Sequence, residues 1–103
     1  MLFVAYWELN EDTPLEQRLQ AAQTLMSKGL FPGNNVTMLR WDITPGGWGI
    51  TIYEAESAID LGRSIDVWRA AVPGFFKTIK ISPAVPIMDG IPALIETLQA
   101  LKF

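Results

Sequence analysis

Hydrophobic and polar residues follow two different periods along the chain, and these periods predict alternating strands and helices. Residues 2–8 are an apolar and aromatic run with no helical period, which is typical of a central strand buried on both faces. Residues 36–43, 48–55 and 75–82 are predicted to form three further strands. Apolar residues at helical spacing predict helices that start at Pro14, after Ser57 and at Asp89, the last running to about residue 102.

Turn and capping residues separate these segments. Thr13, Pro14 and Glu16 match a helix start in which Thr13 caps the first turn and Glu16 completes a capping box. Gly29 is placed to end this helix, and residues 44–47 (Thr-Pro-Gly-Gly) predict a hairpin. The first two helices carry apolar stripes that should pack on the sheet: Leu15, Leu19, Ala22 and Met26 in the first, and Leu61, Ile65, Trp68 and Val72 in the second.

The predicted order is βαββαβ followed by one more helix, which is the α+β, ferredoxin-like arrangement. The chain has 103 residues and no linker or low-complexity segment, so a single domain over residues 1–103 is expected. Right-handed crossovers place the first two helices on one face of the sheet and leave the other face open. Because the first strand is apolar on both sides, that open face needs a cover. The sequence therefore predicts a homodimer in which a second copy covers it, sheet against sheet.

The last helix is also expected to be docked. Isolated helices of about 12 residues are marginal in water. The apolar stripe of this helix should therefore pack against the sheet or against the partner chain, and it consists of Ile91, Leu94, Ile95, Leu98 and Leu101.

Alternation along the strands assigns side chains to the two faces of the sheet. The residues expected to face the helices are Leu39, Trp41, Ile43, Ile50, Ile52, Ile79 and Ile81. The open face of the dimer would then hold a small, partly apolar ligand between the sheets. The candidate binding residues are Tyr6, Trp7, Arg40, Asp42, Thr51, Tyr53, Thr78 and Lys80. A one-residue error in register would exchange the two faces.

Composition narrows the chemistry that this domain can perform. Hydrophobic residues make up 50% of the chain and charged residues 18%, which supports a buried subunit interface. The net charge of −3 and the scattered basic residues argue against a nucleic-acid-binding protein, which needs a basic stripe. The chain contains no Cys and no His, which excludes disulfides, thiol nucleophiles and His-based acid–base chemistry. No metal or cofactor is therefore expected.

The sequence also indicates the cellular compartment in which the protein is expected. It shows no basic leader followed by an apolar segment, and no apolar run approaches the ~20 residues of a membrane span. A cytoplasmic protein without membrane contact is expected.

Four short segments carry a resemblance to a known family. They are residues 1–4 (Met-Leu-Phe-Val), 39–42 (Leu-Arg-Trp-Asp), 46–49 (Gly-Gly-Trp-Gly) and 53–57 (Tyr-Glu-Ala-Glu-Ser). Together with the order of elements, they resemble an uncharacterised bacterial family of the dimeric α/β-barrel superfamily. The resemblance implies that two ferredoxin-like sheets pair into a barrel. The superfamily includes cofactor-free monooxygenases, isomerases, haem-dependent enzymes and ligand-binding regulators, but the family itself has no established activity, so no catalytic residue is implied.

Two functions are compatible with these residues. The first is a homodimeric binding or interaction module that holds a small, partly apolar molecule between its sheets, or nothing. The second is a cofactor-free enzyme, similar to the monooxygenases or isomerases of the superfamily, that acts on a small aromatic compound with Asp42, Tyr6 or Tyr53 as polar participant. Structural roles are the alternative for each residue: core anchors for the tryptophans, an ion pair for Arg40 and Asp42, and exposure or a dimer salt bridge for Lys80.

Overall fold

Residues 1–102, which a computed structural model describes, form four strands and three helices. Phe103, the last residue of the predicted domain, lies outside the described residues. In chain order the elements are β1 (Leu2–Leu9), α1 (Leu15–Ser27), β2 (Val36–Ile43), β3 (Trp48–Ala55), α2 (Ala58–Ala71), β4 (Phe76–Pro83) and α3 (Ile87–Ala100). The strands form one antiparallel sheet in the order β2-β3-β1-β4. This confirms the α+β, ferredoxin-like fold, with α3 as the added helix.

The ends of α1 and α2 follow from their local sequence, with one difference from expectation. Ser57 caps α2 because its Oγ accepts a hydrogen bond from the Asp60 backbone N–H at 3.1 Å. Gly29 follows α1 with a φ of +69°, which glycine adopts without steric cost. The capping box predicted for Thr13 and Glu16 does not form, since Pro14 immediately precedes the helix and Thr13 is buried in the turn from β1.

The core lies between one face of the sheet and the helices α1 and α2. The stripe predicted for α2 is confirmed, and its aromatic member, Trp68, lies at the centre of a cluster of rings. The Trp68 ring centroid is 4.9 Å from that of Phe75 and 5.1 Å from that of Phe31. Below the helices, β1 contributes four buried side chains: Phe3, Ala5, Trp7 and Leu9.

The face that α1 buries differs from the predicted one. Its buried residues are Ala21 and Leu25, whereas Leu15 and Leu19 of the predicted stripe are exposed. α1 carries two neighbouring apolar lines, and a period of 3.6 does not distinguish which line meets the sheet. Leu15 and Leu19 therefore border an opening beside the sheet instead of filling the core.

The face assignment of β3 was wrong. Directly paired residues of neighbouring antiparallel strands share a face. Thr51 pairs with Ala5 and Tyr53 pairs with Phe3, so both point toward the helices, whereas Ile50 and Ile52 lie on the open face. Thr51 is stable in the core because its Oγ accepts a hydrogen bond from Trp7 Nε1 at 3.0 Å. Because Thr51 has a hydrogen-bond partner in the core, it can be buried while the more apolar Ile50 and Ile52 lie on the open face.

The assignments of the two edge strands hold, with one exception. In β4, Ile79 and Ile81 pair with Trp7 and Ala5 on the helix side, which leaves Thr78 and Lys80 on the open face. In β2, Trp41 and Ile43 lie on the helix side, which leaves Arg40 and Asp42 on the open face. The exception is Leu39, which is the extra residue of a β-bulge between Met38 and Arg40 and is exposed.

α3 stands apart from the rest of the molecule. The radius of gyration is 16.9 Å, against about 13 Å for a compact chain of this length. Within the described part of the chain, no strand or other helix packs broadly against α3, and its apolar side chains are exposed. It begins at Ile87 instead of Asp89. Docking of α3 against its own sheet was therefore wrong, and docking against a partner chain remains a prediction.

Candidate functional site

The sheet divides the eight predicted binding residues between its two faces. Trp7, Thr51 and Tyr53 are buried on the helix side. The other five lie on the open face: Tyr6, Arg40, Asp42, Thr78 and Lys80. The structure thus does not bring all eight together into one site within a single chain.

The polar groups on the open face are largely paired with their neighbours. Arg40 Nε donates a hydrogen bond to Asp42 Oδ2, which raises the pKa of the guanidinium. The Tyr6 hydroxyl donates to Glu8 Oε1 at 2.6 Å, and this bond raises the pKa of the phenol. Both pairs are local and accessible to solvent, so they contribute little to stability. Arg40 and Asp42 thus form the ion pair that is their structural alternative.

A better-formed site lies on the opposite side of the sheet. A cavity of about 360 Å³ opens between α1, α2 and the ends of β1 and β2. We call it the aromatic pocket, after six of the residues that line it: Trp7, Trp41, Tyr53, Trp68, Phe75 and Phe76. A cavity of this size is within the range that small-molecule ligands occupy.

Arg18 is the one charged residue among those that line the aromatic pocket. Its Nε is buried and has no hydrogen-bond partner among residues 1–102. No carboxylate of the described residues forms a salt bridge with it. A buried donor without a partner on this partly buried cation is costly to the folded chain alone and favourable to an acceptor that enters the pocket.

Sequence reasoning missed Arg18, although its spacing contained a signal. Arg18 lies three residues after Leu15 and four before Ala22, so it shares the face of α1 that these two residues define. An arginine on an apolar helical line is a departure from binary patterning. The face of α1 that carries Arg18 borders the pocket only because α1 buries Ala21 and Leu25 against the sheet. Tertiary packing decides which face of the helix is buried.

The remaining polar groups at the aromatic pocket carry no charge. Tyr53 is 2% exposed, and burial raises the pKa of its phenol to about 12. The Trp7 indole N–H is already bonded to Thr51. No group of three or more His, Cys, Asp or Glu residues suited to a metal ion occurs among residues 1–102. The pocket thus combines an aromatic wall with one cation.

Burial of Tyr53 predicts that the free energy of unfolding falls at alkaline pH. The neutral phenol is favoured in the folded state, so its contribution is fully present below the unfolded pKa of 10.0 and is lost as pH rises toward about 12. Between pH 9 and pH 11.5 the loss should be about 2 kcal/mol. Urea unfolding of the wild type and of Tyr53→Phe at both pH values measures it. All other ionisable groups are the same in both proteins, so equal losses would contradict the assignment.

Comparisons with known proteins bear on the fold. No protein-family model matches the chain, and no curated protein matches it. Protein Atu4242 from Agrobacterium tumefaciens superposes on 84% of this chain and 93% of its own, with a TM-score of 0.53 and 10% identity. Protein Rv0793 from Mycobacterium tuberculosis superposes on 82% of this chain and 94% of its own, with a TM-score of 0.42 and 15% identity. The first likeness shows a shared fold, and neither name states a ligand.

None of the helices within residues 1–102 combines the length and the apolar character that crossing a membrane requires.

Proposed function

We propose that the chain is a small-molecule-binding module that acts as a homodimer, and that its ligand is a small aromatic molecule with one acidic group. The observation that carries the proposal is the buried, unpartnered Nε of Arg18 at the edge of the aromatic pocket. Apolar walls favour a hydrophobic ring, and a guanidinium favours a carboxylate, which it binds with short, charge-assisted hydrogen bonds.

This proposal places the ligand on the helix side of the sheet and leaves the open face for the second copy. The open face has an apolar centre that includes Val4, Ile50 and Ile52, with Trp48 beside the hairpin. Arg40, Asp42 and Lys80 lie on the flanking edge strands. An apolar centre with a polar rim is the usual anatomy of a protein interface. The same arrangement supports pairing of two sheets into a barrel.

The enzymatic alternative finds less support in this geometry. Asp42 and Tyr6, two of its three polar participants, lie on the face opposite the aromatic pocket. Tyr53 does line the pocket, but with a pKa raised to about 12 its phenol is neutral at physiological pH and is a weak acid. The lining residues include no carboxylate. Binding is therefore the function that the site supports best.

Binding of 1-naphthoate tests the proposal. Isothermal titration calorimetry should detect binding to the wild type, and Arg18→Met should weaken it by about ten- to a hundredfold, because a hydrogen bond to a charged group contributes about 1.5–3 kcal/mol. The neutral analogue 1-naphthalenemethanol should bind both proteins with affinities within about threefold of each other, since it lacks the charge.

Arg63→Met is the matched control. Arg63 is an exposed arginine of α2 that does not line the aromatic pocket, so its loss removes the same charge without touching the site. The proposal fails if naphthoate does not bind the wild type. It also fails if the Arg18 and Arg63 variants weaken naphthoate binding equally.

A further inference from the structure

α3 has the residue pattern of one helix in a pair. Five apolar residues follow the alternating spacing of four and three that defines the a and d positions of a heptad repeat. In that notation Ile91 and Leu98 occupy a, while Ile87, Leu94 and Leu101 occupy d. All five are exposed, from 41% at Ile91 to 75% at Ile87. We call this line of residues the α3 seam.

The charges on α3 are compatible with pairing between identical helices. Its two acidic residues, Asp89 and Glu96, occupy the f positions, which point directly away from the α3 seam. The positions that flank a seam are e and g, where like charges would repel a second copy. Along α3 these positions hold Met88 and Ile95 at e, and Gly90 and Thr97 at g, all of them uncharged. The next e position, just beyond the helix, holds Lys102.

The connection to β4 directs α3 away from its own domain. The β1–β4 ladder continues past β4, because the Ala84 backbone N–H donates to the Leu2 carbonyl at 2.9 Å. Only Val85 then separates the ladder from Pro86, which precedes the helix. Pro83 and Pro86 fix their own φ angles and restrict this short connection. α3 therefore extends the molecule to a length of 60 Å instead of folding back onto its sheet.

α3 also needs a partner for its own stability. It contains Gly90 and Pro92, which are unfavourable in a helix, and it has only 14 residues. Pro92 occupies a b position, so its ring does not enter the α3 seam. An exposed amphipathic helix of this kind is stabilised when its apolar face is buried.

We propose that α3 pairs with α3 of a second copy of this chain through the α3 seam. Two-fold symmetry makes such a contact self-complementary, so each seam residue is buried in both chains. Two heptads are fewer than an independent coiled coil needs. We therefore expect the two α3 helices to pair within the full-length protein and not as isolated peptides. This inference goes beyond the ligand proposed above and does not depend on the aromatic pocket.

Disulfide cross-linking tests the pairing directly, because the native chain has no Cys. Leu94 is the middle residue of the α3 seam, so it meets its own copy when the helices run parallel in register, or antiparallel with the two-fold axis at Leu94. Under mild oxidation, full-length Leu94→Cys should give at least about tenfold more covalent dimer than Ala93→Cys, since a disulfide needs Cβ atoms about 3.8 Å apart. Ala93 lies at c, on the far side of the same helix.

A second pair of variants distinguishes pairing from any effect on folding. Leu94→Glu with Leu98→Glu should weaken self-association in sedimentation equilibrium, whereas Ala93→Glu with Ala100→Glu should not, although both pairs add two charges to α3. Equal cross-linking of Leu94→Cys and Ala93→Cys would overturn the proposal, as would equal dissociation constants for the two glutamate variants. Docking of α3 on the body of a partner would weaken association in Leu94→Glu/Leu98→Glu without cross-linking Leu94→Cys, and that too would overturn it.

Discussion

Replacing Gly49 with alanine is expected to destabilise the domain by about 3 kcal/mol, because the new methyl group has no space. Gly49 pairs with Trp7 in β1 and with Ile43 in β2, and the Trp7 indole lies over it. An added Cβ would lie 2.1 Å from the Asp42 carbonyl oxygen and 2.5 Å from the Trp7 ring. The nearer of these atoms belongs to the backbone, so the strand itself must move. Urea denaturation of Gly49→Ala measures the loss.

Gly62→Ala is the control for this substitution. Gly62 lies within α2, and an added Cβ there would meet nothing within 4 Å. Alanine favours a helix more than glycine does, so this variant should be as stable as the wild type or more stable by up to about 1 kcal/mol. A Gly49→Ala protein within about 0.5 kcal/mol of the wild type would show that β2 and β3 adjust without strain, contrary to the steric argument.

The second large effect is expected at the open face. Val4 lies there in the central strand β1, where it pairs with Ile52 on one side and Ser82 on the other. In a sheet-to-sheet dimer, Val4→Glu would bury a carboxylate without a partner, which costs several kcal/mol. We expect the dissociation constant of the dimer to rise at least about a hundredfold. Sedimentation equilibrium across a range of concentrations provides the measurement.

Ile59→Glu controls for the general effect of placing a glutamate at an apolar position. Ile59 is exposed on α2, away from the open face, and its replacement should leave the dimer intact. Circular dichroism should show that both variants are folded. Dimerisation through the open face is excluded if the wild type sediments as a monomer, or if Val4→Glu retains the affinity of the wild type.

The open face, the α3 seam and the aromatic pocket are formed by different residues of the chain. The open face would be covered by a second sheet and the α3 seam by a second α3, while the aromatic pocket lies on the other side of the sheet near α1. The pocket test is therefore independent of the two association tests, which both measure contact between copies of the chain. Loss of naphthoate binding says nothing about Leu94 cross-linking, and a monomeric Val4→Glu protein is expected to retain its pocket.

The order and type of elements could be predicted from sequence because each rests on local signals. The capping residue Ser57, the positive φ of Gly29 and the stripe of α2 all act within a few residues of themselves. The faces of β4 followed from simple alternation. Where the choice of face was wrong, in β3, a hydrogen bond between Trp7 and Thr51 compensates for a polar residue in the core, and that bond joins residues far apart in sequence.

The candidate site was less accessible to sequence reasoning. Trp7 and Tyr53 were among the predicted binding residues, and they line a pocket on the helix side, apart from Arg40, Asp42 and Lys80. Arg18 gained its importance from α1 burying Ala21 and Leu25, which leaves the Leu15 line beside the cavity. Two apolar lines were present in the sequence of α1. Which of them met the sheet was a question of packing.

The sequence by itself determined the ferredoxin-like order of elements, the positions of the main turns and the amphipathic character of α3, since propensity, capping and periodicity are local properties. Only the tertiary structure decided that Thr51 and Tyr53 face the helices, that Gly49 makes room for Trp7, and that Arg18 meets an aromatic cavity. It also decided that α3 leaves its own domain. These outcomes depend on strand register, where a shift of one residue exchanges the buried and exposed faces, and on which apolar line of α1 meets the sheet.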